Sequence, residues 1–319
     1  MPVRSDAPTS AAARANVAPQ TYRRYRQIVE GELVPAFGMT KLVDISPMQV
    51  ELFLAKCLGR KCKNRERDLS PRTVGHFYQV LRRALNQAVR WQLLAKNPCD
   101  LVDPPRVQSV EMHALDEDGL RALLAGVRGS RLYTPTLLAA VSGMRRGELL
   151  ALRWSDVNLE TGECRVVRAL QEVPGGVSFK TPKTNKGRRA VLLPRLALVA
   201  LKAHRATQNE EKLLMGAGYA DGDLILARAD GTPWPPSQFS SEFARLVKKK
   251  GFAVSFHSLR HTHASQLLKA GVPVKVVSER LGHATTSITM DVYAHVLPGM
   301  QEEAAATVDA MLGRIVTGK

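Results

Sequence analysis

The 319-residue chain has only four cysteines, Cys57, Cys62, Cys99 and Cys164, and no two of them form a CxxC pair. Four scattered thiols are too few for a disulfide scaffold and wrongly spaced for a zinc site, so buried or free thiols in a reducing compartment are expected. No run approaches the roughly eighteen consecutive apolar residues that span a bilayer. The opening MPVRSDAPTSAAARANVAPQ also lacks the apolar segment of a signal peptide. A cytoplasmic protein without a membrane partner is the expectation. Neither GxGxxG nor GxxxxGK[ST] occurs, which removes the usual glycine loops for nucleotides. No repeat of 20 to 50 residues is visible.

Acidic residues are scarce beside basic ones: 29 Asp and Glu face 46 Lys and Arg, giving a net charge of +17. Such an excess implies a polyanionic partner, because Lys and Arg that neutralise phosphates release condensed counterions. Nucleic acid is the leading candidate. Residues 1 to 110 hold 18 basic and 9 acidic side chains, leaving 28 and 20 for the rest, so the excesses are +9 and +8. A basic surface on both halves predicts a clamp around DNA rather than a single basic tail, and places the protein with the nucleoid.

Residues 1–18, rich in Ala, Pro and Ser without periodicity, predict a disordered lead-in. Residues 19–97 predict a helical domain of about four helices. Tyr22, Tyr25, Val29 and Leu33 recur at helical spacing. Ser46-Pro47 and Ser70-Pro71 each offer an N-cap followed by a proline at the first helical position. Val74, Phe77/Tyr78, Leu81, Leu85 and Ala88/Val89 then run down one face. Between the last two helices, GRKCKNRERDLS carries Arg60, Lys61, Lys63, Arg65 and Arg67, which with Arg72 and Arg82 are the expected phosphate contacts. Residues 98–110 gather prolines, lose periodicity and read as a linker.

A second domain, residues 111–300, opens with helices, the first capped by Asp116. The runs ECRVVRAL, GVSFK and RRAVLL, separated by a glycine-containing turn and the loop TPKTNKG, predict one small three-stranded antiparallel sheet. Helices resume from Pro194. In the tail, residues 301–319, apolar positions again fall at helical spacing. The fold class expected is mainly α with a small antiparallel β-sheet.

The stretch HSLRHTHASQLL packs His257, Arg260, His261 and His263 into seven positions. His257 and His261 stand four apart, as in HExxH zinc sites, but the general-base Glu is absent and an arginine sits between them, so no metal site is expected. His257 and Arg260, three apart, share a helix face. An arginine fork grips two nonbridging phosphate oxygens while a neighbouring imidazole moves a proton.

Four segments in order resemble the tyrosine recombinase, or phage integrase, family: SGMRRGELLALRWSDV, TPKTNKGRRAVLLP, HSLRHTHASQLL and LGHATTSITMDVYAHV. The resemblance implies a helical core-binding domain followed by an α+β catalytic domain, and a site-specific recombinase that cleaves and rejoins DNA without metal, ATP or another cofactor. It assigns the catalytic residues as Arg145 rather than Arg146, Lys183, His257, Arg260, His283 and the nucleophile Tyr293, with Glu148 orienting the cations behind them. Lys180 and Lys186 are the alternatives to Lys183. His261 and His263 read as structural or near DNA. By the same resemblance, attack by Tyr293 leaves a free 5′ hydroxyl and a 3′-phosphotyrosine, whose bond energy serves rejoining.

Within the same chemistry, dimer resolution of the Xer type and transposon recombination are alternatives. A type IB topoisomerase or an inactive DNA-binding regulator fits less well. The partners implied are double-stranded core sites and a homotetramer on DNA, with the tail exchanged between protomers, and accessory directionality or DNA-bending proteins are compatible. Many family members carry an arm-binding domain ahead of these two, and residues 1–18 are too short to be one.

Overall fold

The computed structural model describes residues 17, 19–61, 68–108, 114–181, 187–293, 305–306, 308–310 and 312. The chain divides into two compact units, residues 1–110 and 111–319. The expected lead-in, apart from Val17, lies outside the described residues, as do Cys62, Lys63, Arg65 and Arg67.

In the first unit, α1 (Pro19–Ile28) passes through a π-turn (Val29–Leu33) into the short α2 (Val34–Phe37). Both Ser-Pro devices then act as N-caps. Ser46 Oγ accepts from the Gln49 amide while Gln49 Oε1 accepts from the Ser46 amide, a reciprocal box that starts α3 (Pro47–Leu58). Ser70 Oγ accepts from the Thr73 amide at the head of α4 (Pro71–Arg90). The buried face of α4, with Val74, Phe77, Leu81 and Leu85, meets Val50, Leu54 and Cys57 of α3 in one core. Each such fully buried side chain stabilises the unit by about 1.5–3 kcal/mol.

The first residues of the expected linker dock on the first unit. Pro98–Leu101 forms a 3₁₀ turn, Cys99 and Val102 are buried in the α3–α4 core, and the Tyr78 hydroxyl lies 2.8 and 3.0 Å from their carbonyl oxygens. Prolines broke the helical pattern there without undocking the chain, because a buried tyrosine supplies the hydrogen bond that the turn needs.

The second unit opens with α5 (Glu117–Val127), whose cap Asp116 accepts from the Gly119 amide at 2.8 Å. It is followed by α6 (Tyr133–Ser142) and α7 (Arg146–Leu149). Strands β1 (Glu163–Val166), β2 (Ala169–Val173), β3 (Gly176–Lys180) and β4 (Arg189–Leu192) come next. They form two antiparallel pairs, β1 with β4 and β2 with β3, instead of one three-stranded sheet. The run ECRVVRAL is the cause: at Val167-Arg168 the chain leaves the β4 ladder, Arg168 donates to Asp156 at 2.7 Å, and pairing with β3 starts at Ala169. A two-residue turn at Pro174-Gly175 closes the second pair, with Gly175 at φ +84° as the turn requires.

Five further α-helices follow among the described residues: α8 (Arg195–Met215), α9 (Pro236–Lys249), α10 (Ser258–Lys269), α11 (Val274–Leu281) and α12 (Thr286–Tyr293). One core of Leu138, Leu149, Leu150, Ile225, Phe239, Phe243, Phe256 and Leu259 joins α6 to α10, so the end of α6 and the start of α10 are fixed side by side. Among the described residues no helix is long and apolar enough to cross a membrane. Only six tail residues, 305, 306, 308 to 310 and 312, are described, and they are helical.

Candidate active site

Where α6 stops, α10 begins and α11 ends, three backbone termini surround one guanidinium. Arg260, in the first turn of α10 and 4% exposed, donates through Nη1 to the Gly143 carbonyl at 2.6 Å. Its Nη2 donates to the Leu281 carbonyl at 2.7 Å. Both acceptors are last-turn carbonyls that a helix leaves without intrahelical partners. Gly143 makes the convergence sterically feasible: it ends α6 at φ +62°, and a Cβ there would lie 2.6 Å from Cδ2 of His263. Burial first, then the neighbouring Arg145, pull the Arg260 guanidinium down to about 9, which leaves it charged at neutral pH.

Arg145 caps α7. Its amide and its Nη1 both donate to the Glu148 carboxylate, at 2.9 and 3.0 Å, and Nη2 donates to the Gly282 carbonyl at 3.2 Å. The guanidinium is held from behind and remains 45% exposed in front. Arg146 turns the other way, to Ser240 of α9. Glu148 is 5% exposed, so the surface salt bridge that a lone Glu would suggest does not apply. Arg189 of β4 grips the same carboxylate, Nη2 to Oε2 at 2.9 Å, and donates from Nε to the Arg280 carbonyl at 2.6 Å. Burial alone would raise the Glu148 pKa, but the Arg189 hydrogen bond and charge, with Arg145, hold it below the ordinary carboxylate value. Gly282, at φ +66°, lets α11 end against this arginine: a Cβ would lie 2.8 Å from Arg189 Nη1.

The histidines divide into distinct roles. His257 is the residue that precedes α10 and stays at the solvent edge; partial burial of its ring, then Arg260 and Arg145, lower its pKa. His283, one residue beyond Gly282, shares a hydrogen bond through Nδ1 with Thr289 Oγ1 at 2.8 Å, which leaves Nε2 for a ligand. Burial, then Arg260 and Arg145, push it down to about 4. Tyr293, at the end of α12, is 2% exposed, and its hydroxyl lies 2.8 Å from Nδ1 of His261. Burial pushes the phenol up to about 12, against the opposing field of Arg260. The rings continue outward from Tyr293 to His261, 5.7 Å between centroids, and on to His257, 5.0 Å and nearly perpendicular.

His263 is structural. It is buried, and its Nδ1–H donates to the Ala140 carbonyl at 2.9 Å, while burial and then Arg280 push its pKa to about 4 from the ordinary 6.5. A folded pKa below the unfolded one means that the unfolded state binds the extra proton in between, so stability is fully present above pH 6.5 and is lost as pH falls toward 4. The expected loss from this residue is about 3 kcal/mol between pH 7 and pH 4. Urea midpoints across that range should fall less steeply in His263→Asn, whose amide keeps the bond to Ala140; equal slopes would remove His263 from the account.

Arg145, Glu148, His257, Arg260, His283 and Tyr293 thus share one site, although they come from α7, α10, α12 and the end of α11. Lys183 and its alternative Lys186 lie outside the described residues; Lys180 sits exposed at the end of β3. Of the expected phosphate contacts, Lys61 and Arg72 are exposed. Arg60 and Arg82 instead carry carboxylate partners, Glu32 at 2.6 Å and Asp100 at 2.9 Å, so their charge is partly spent within the first unit. Among the described residues no cluster of three or more His, Cys, Asp or Glu is placed to hold a metal ion. Sequence reasoning missed Arg189, Arg280 and the His261–Tyr293 contact; each is a pairing across a long stretch of chain, with no local pattern to announce it.

Residues 113–300 match the model of the phage integrase family, and residues 11–58 match that of the phage integrase N-terminal SAM-like domain. A tyrosine recombinase XerC-like protein of Caldanaerobacter subterraneus subsp. tengcongensis is 32% identical over 307 residues, which cover 90% of this chain and 75% of that protein. Among solved structures, the Tn1549 transposon integrase in complex with a circular intermediate DNA superposes with a TM-score of 0.77 at 20% identity, over 94% of this chain and 97% of that one. A lambda integrase tetramer bound to a Holliday junction gives 0.63 at 19% identity, over 87% and 75%. Both structures share the fold. The matched family model and the bacterial relative establish that this chain belongs to the phage integrase family, the tyrosine recombinases.

Proposed function

We propose that this site-specific recombinase cuts DNA with Tyr293 as the nucleophile. The observation that carries the reading is the placement of one phenol hydroxyl among cations and imidazoles that are already fixed by the backbone. In the step, the phenol O–H bond breaks, a bond forms from the phenol oxygen to phosphorus, and the bond from phosphorus to the 5′ oxygen breaks. A 3′-phosphotyrosine and a 5′ hydroxyl result, and the reverse attack by a partner strand's 5′ hydroxyl rejoins the backbone without ATP.

Each group has a physical task. The transition state gathers negative charge on the nonbridging oxygens, and Arg145 and Arg260 face it as preorganised cations that need no reorganisation at the moment of reaction. Glu148 keeps Arg145 aimed. His283 donates to the phosphate from its free nitrogen, and His257, at the solvent edge of the histidine pair, carries the phenol's proton out of the site. Lys183, carried over from the family's hairpin motif, protonates the departing 5′ oxygen. Lys61 and Arg72, with the basic residues 63, 65 and 67, contact the phosphates of a duplex core site and fix register rather than sequence. A tetramer on DNA is supported by the lambda integrase tetramer of like fold bound to a Holliday junction, and the helical spacing of apolar residues in the tail is the ground for reading it as exchanged between protomers. Integration or excision of a mobile element, in the cytoplasm, is the setting that best fits the relatives.

The test uses the full chain and a pool of duplexes with randomised core sequence, each nicked so that the short fragment carrying the freed 5′ hydroxyl diffuses away. In EDTA and without ATP, a DNA–protein adduct that survives denaturation is expected. Adducts that form only with ATP or a divalent cation would overturn the reading, as would their complete absence from the pool.

A further inference from the structure

His261 follows Arg260 directly in the HSLRHTHASQLL segment and carries no catalytic assignment there, yet it is the residue that touches Tyr293. Its Nδ1 lies 2.8 Å from the phenol oxygen, a normal hydrogen-bond length. The ring is wedged between two others, Tyr293 at 5.7 Å and His257 at 5.0 Å, and its Nε2 is buried with no hydrogen-bond partner among the described residues. Only one nitrogen of this imidazole is therefore used, and it is used on the phenol. α10 supplies Arg260 and His261 as adjacent residues, so the helix turn that fixes the phosphate-binding guanidinium also fixes the group that holds the hydroxyl.

We propose that His261 is a positioning residue for strand cleavage, its Nδ1 accepting the hydrogen bond that holds the Tyr293 hydroxyl beside Arg260. This rests on the reading of Tyr293 as the nucleophile. Burial, then His257 and Arg260, push His261 down to about 4, so its ring is neutral and keeps a lone pair at neutral pH. The phenol, pushed up to about 12, keeps its proton in the resting protein, so the contact orients the hydroxyl and does not ionise it. Packing against Ala264, Leu268, Val277 and Leu281 places the ring, and this hydrogen bond sets the hydroxyl at its edge; a displacement of about 1 Å at a reacting atom costs up to about 100-fold in rate.

The test compares His261→Leu, His261→Asn and His261→Gln in the adduct assay, with Tyr293→Phe alongside and thermal melting of each protein. Asn places an amide oxygen where Nδ1 stood, Gln carries it one bond further, and Leu has no acceptor. The expected result is an adduct rate about 10- to 100-fold lower in Leu and Gln and within about 3-fold of the parent in Asn, at matched DNA affinity. Leu equal to the parent overturns the proposal, as does Asn no better than Leu, since a packing role would be served at least as well by the larger apolar side chain. Should the Leu protein fail to fold, the Asn-to-Gln ratio carries the same decision. An adduct that persists in Tyr293→Phe overturns the reading of the nucleophile instead, whatever the His261 series shows.

Discussion

Replacing Arg260 with lysine is expected to slow adduct formation by about 10²–10³-fold, the scale at which loss of one preorganised donor to an oxyanion is felt. Charge is retained in this variant, so the loss isolates geometry. In the native protein two nitrogens of one planar group are pinned at 2.6 and 2.7 Å by the Gly143 and Leu281 carbonyls, which sets the plane of the guanidinium before DNA arrives. A lysine ammonium is a point charge on a flexible stem; it reaches one of those carbonyls at most and presents no fork to a pair of phosphate oxygens. Affinity for duplex DNA should change little, because a single phosphate contact contributes about one unit to the salt slope of a site that makes many. Single-turnover cleavage together with a salt titration of binding checks both halves. A Lys variant that cleaves within about 3-fold of the parent would show that the field at this point, and not the fork, is what the reaction uses.

The second large effect concerns stability. Glu148→Gln should destabilise the second unit by about 3–5 kcal/mol, the cost of removing one partner from a buried ion pair. Glu148 and Arg189 are both under a tenth exposed, and the carboxylate is the counter-charge the structure gives Arg189. The remaining contacts of Arg189 are carbonyls, from Arg280 and Gly187, which satisfy hydrogens without cancelling charge. Urea unfolding followed through Trp154 and Trp234, both in the second unit, reads the loss. The double variant Glu148→Gln/Arg189→Met should recover much of it, because an apolar replacement removes the stranded cation too. A single-variant loss below about 1 kcal/mol would place the pair among ordinary surface contacts.

Much of the site was legible in the sequence because its parts are local. The Ser-Pro caps at 46–47 and 70–71 and Asp116 start their helices through hydrogen bonds three residues long, which any sequence reading can see. The four ordered motifs selected Arg145 over Arg146, and the structure turns Arg145 toward Glu148 and Gly282 and Arg146 toward Ser240. What stayed hidden depends on contacts between distant residues. Nothing near Arg189 distinguishes it from Arg188, since its partner Glu148 lies on another element. His261 read as structural or near DNA because its partner, Tyr293, is brought to it only by the packing of α10, α11 and α12. The single three-stranded sheet failed for a related reason: ECRVVRAL reads as one strand, and at the break inside it Arg168 pairs with Asp156, twelve residues away, between the two ladders. That residues 98–102 of the expected linker dock on the first unit was hidden for the same reason, since Tyr78 reaches the Cys99 and Val102 carbonyls across more than twenty residues.

The most direct test of the central claim is to find the atom to which DNA becomes attached. Adducts recovered from the randomised pool are digested with trypsin and nuclease, and the peptide that bears the residual nucleotide is sequenced by mass spectrometry. Tryptic cleavage after Arg280 and Arg314 isolates Tyr293 with no other tyrosine. The prediction is a nucleotide on Tyr293 through its 3′ phosphate, and no adduct in Tyr293→Phe. Attachment at any other residue, or through a 5′ phosphate, would contradict the account.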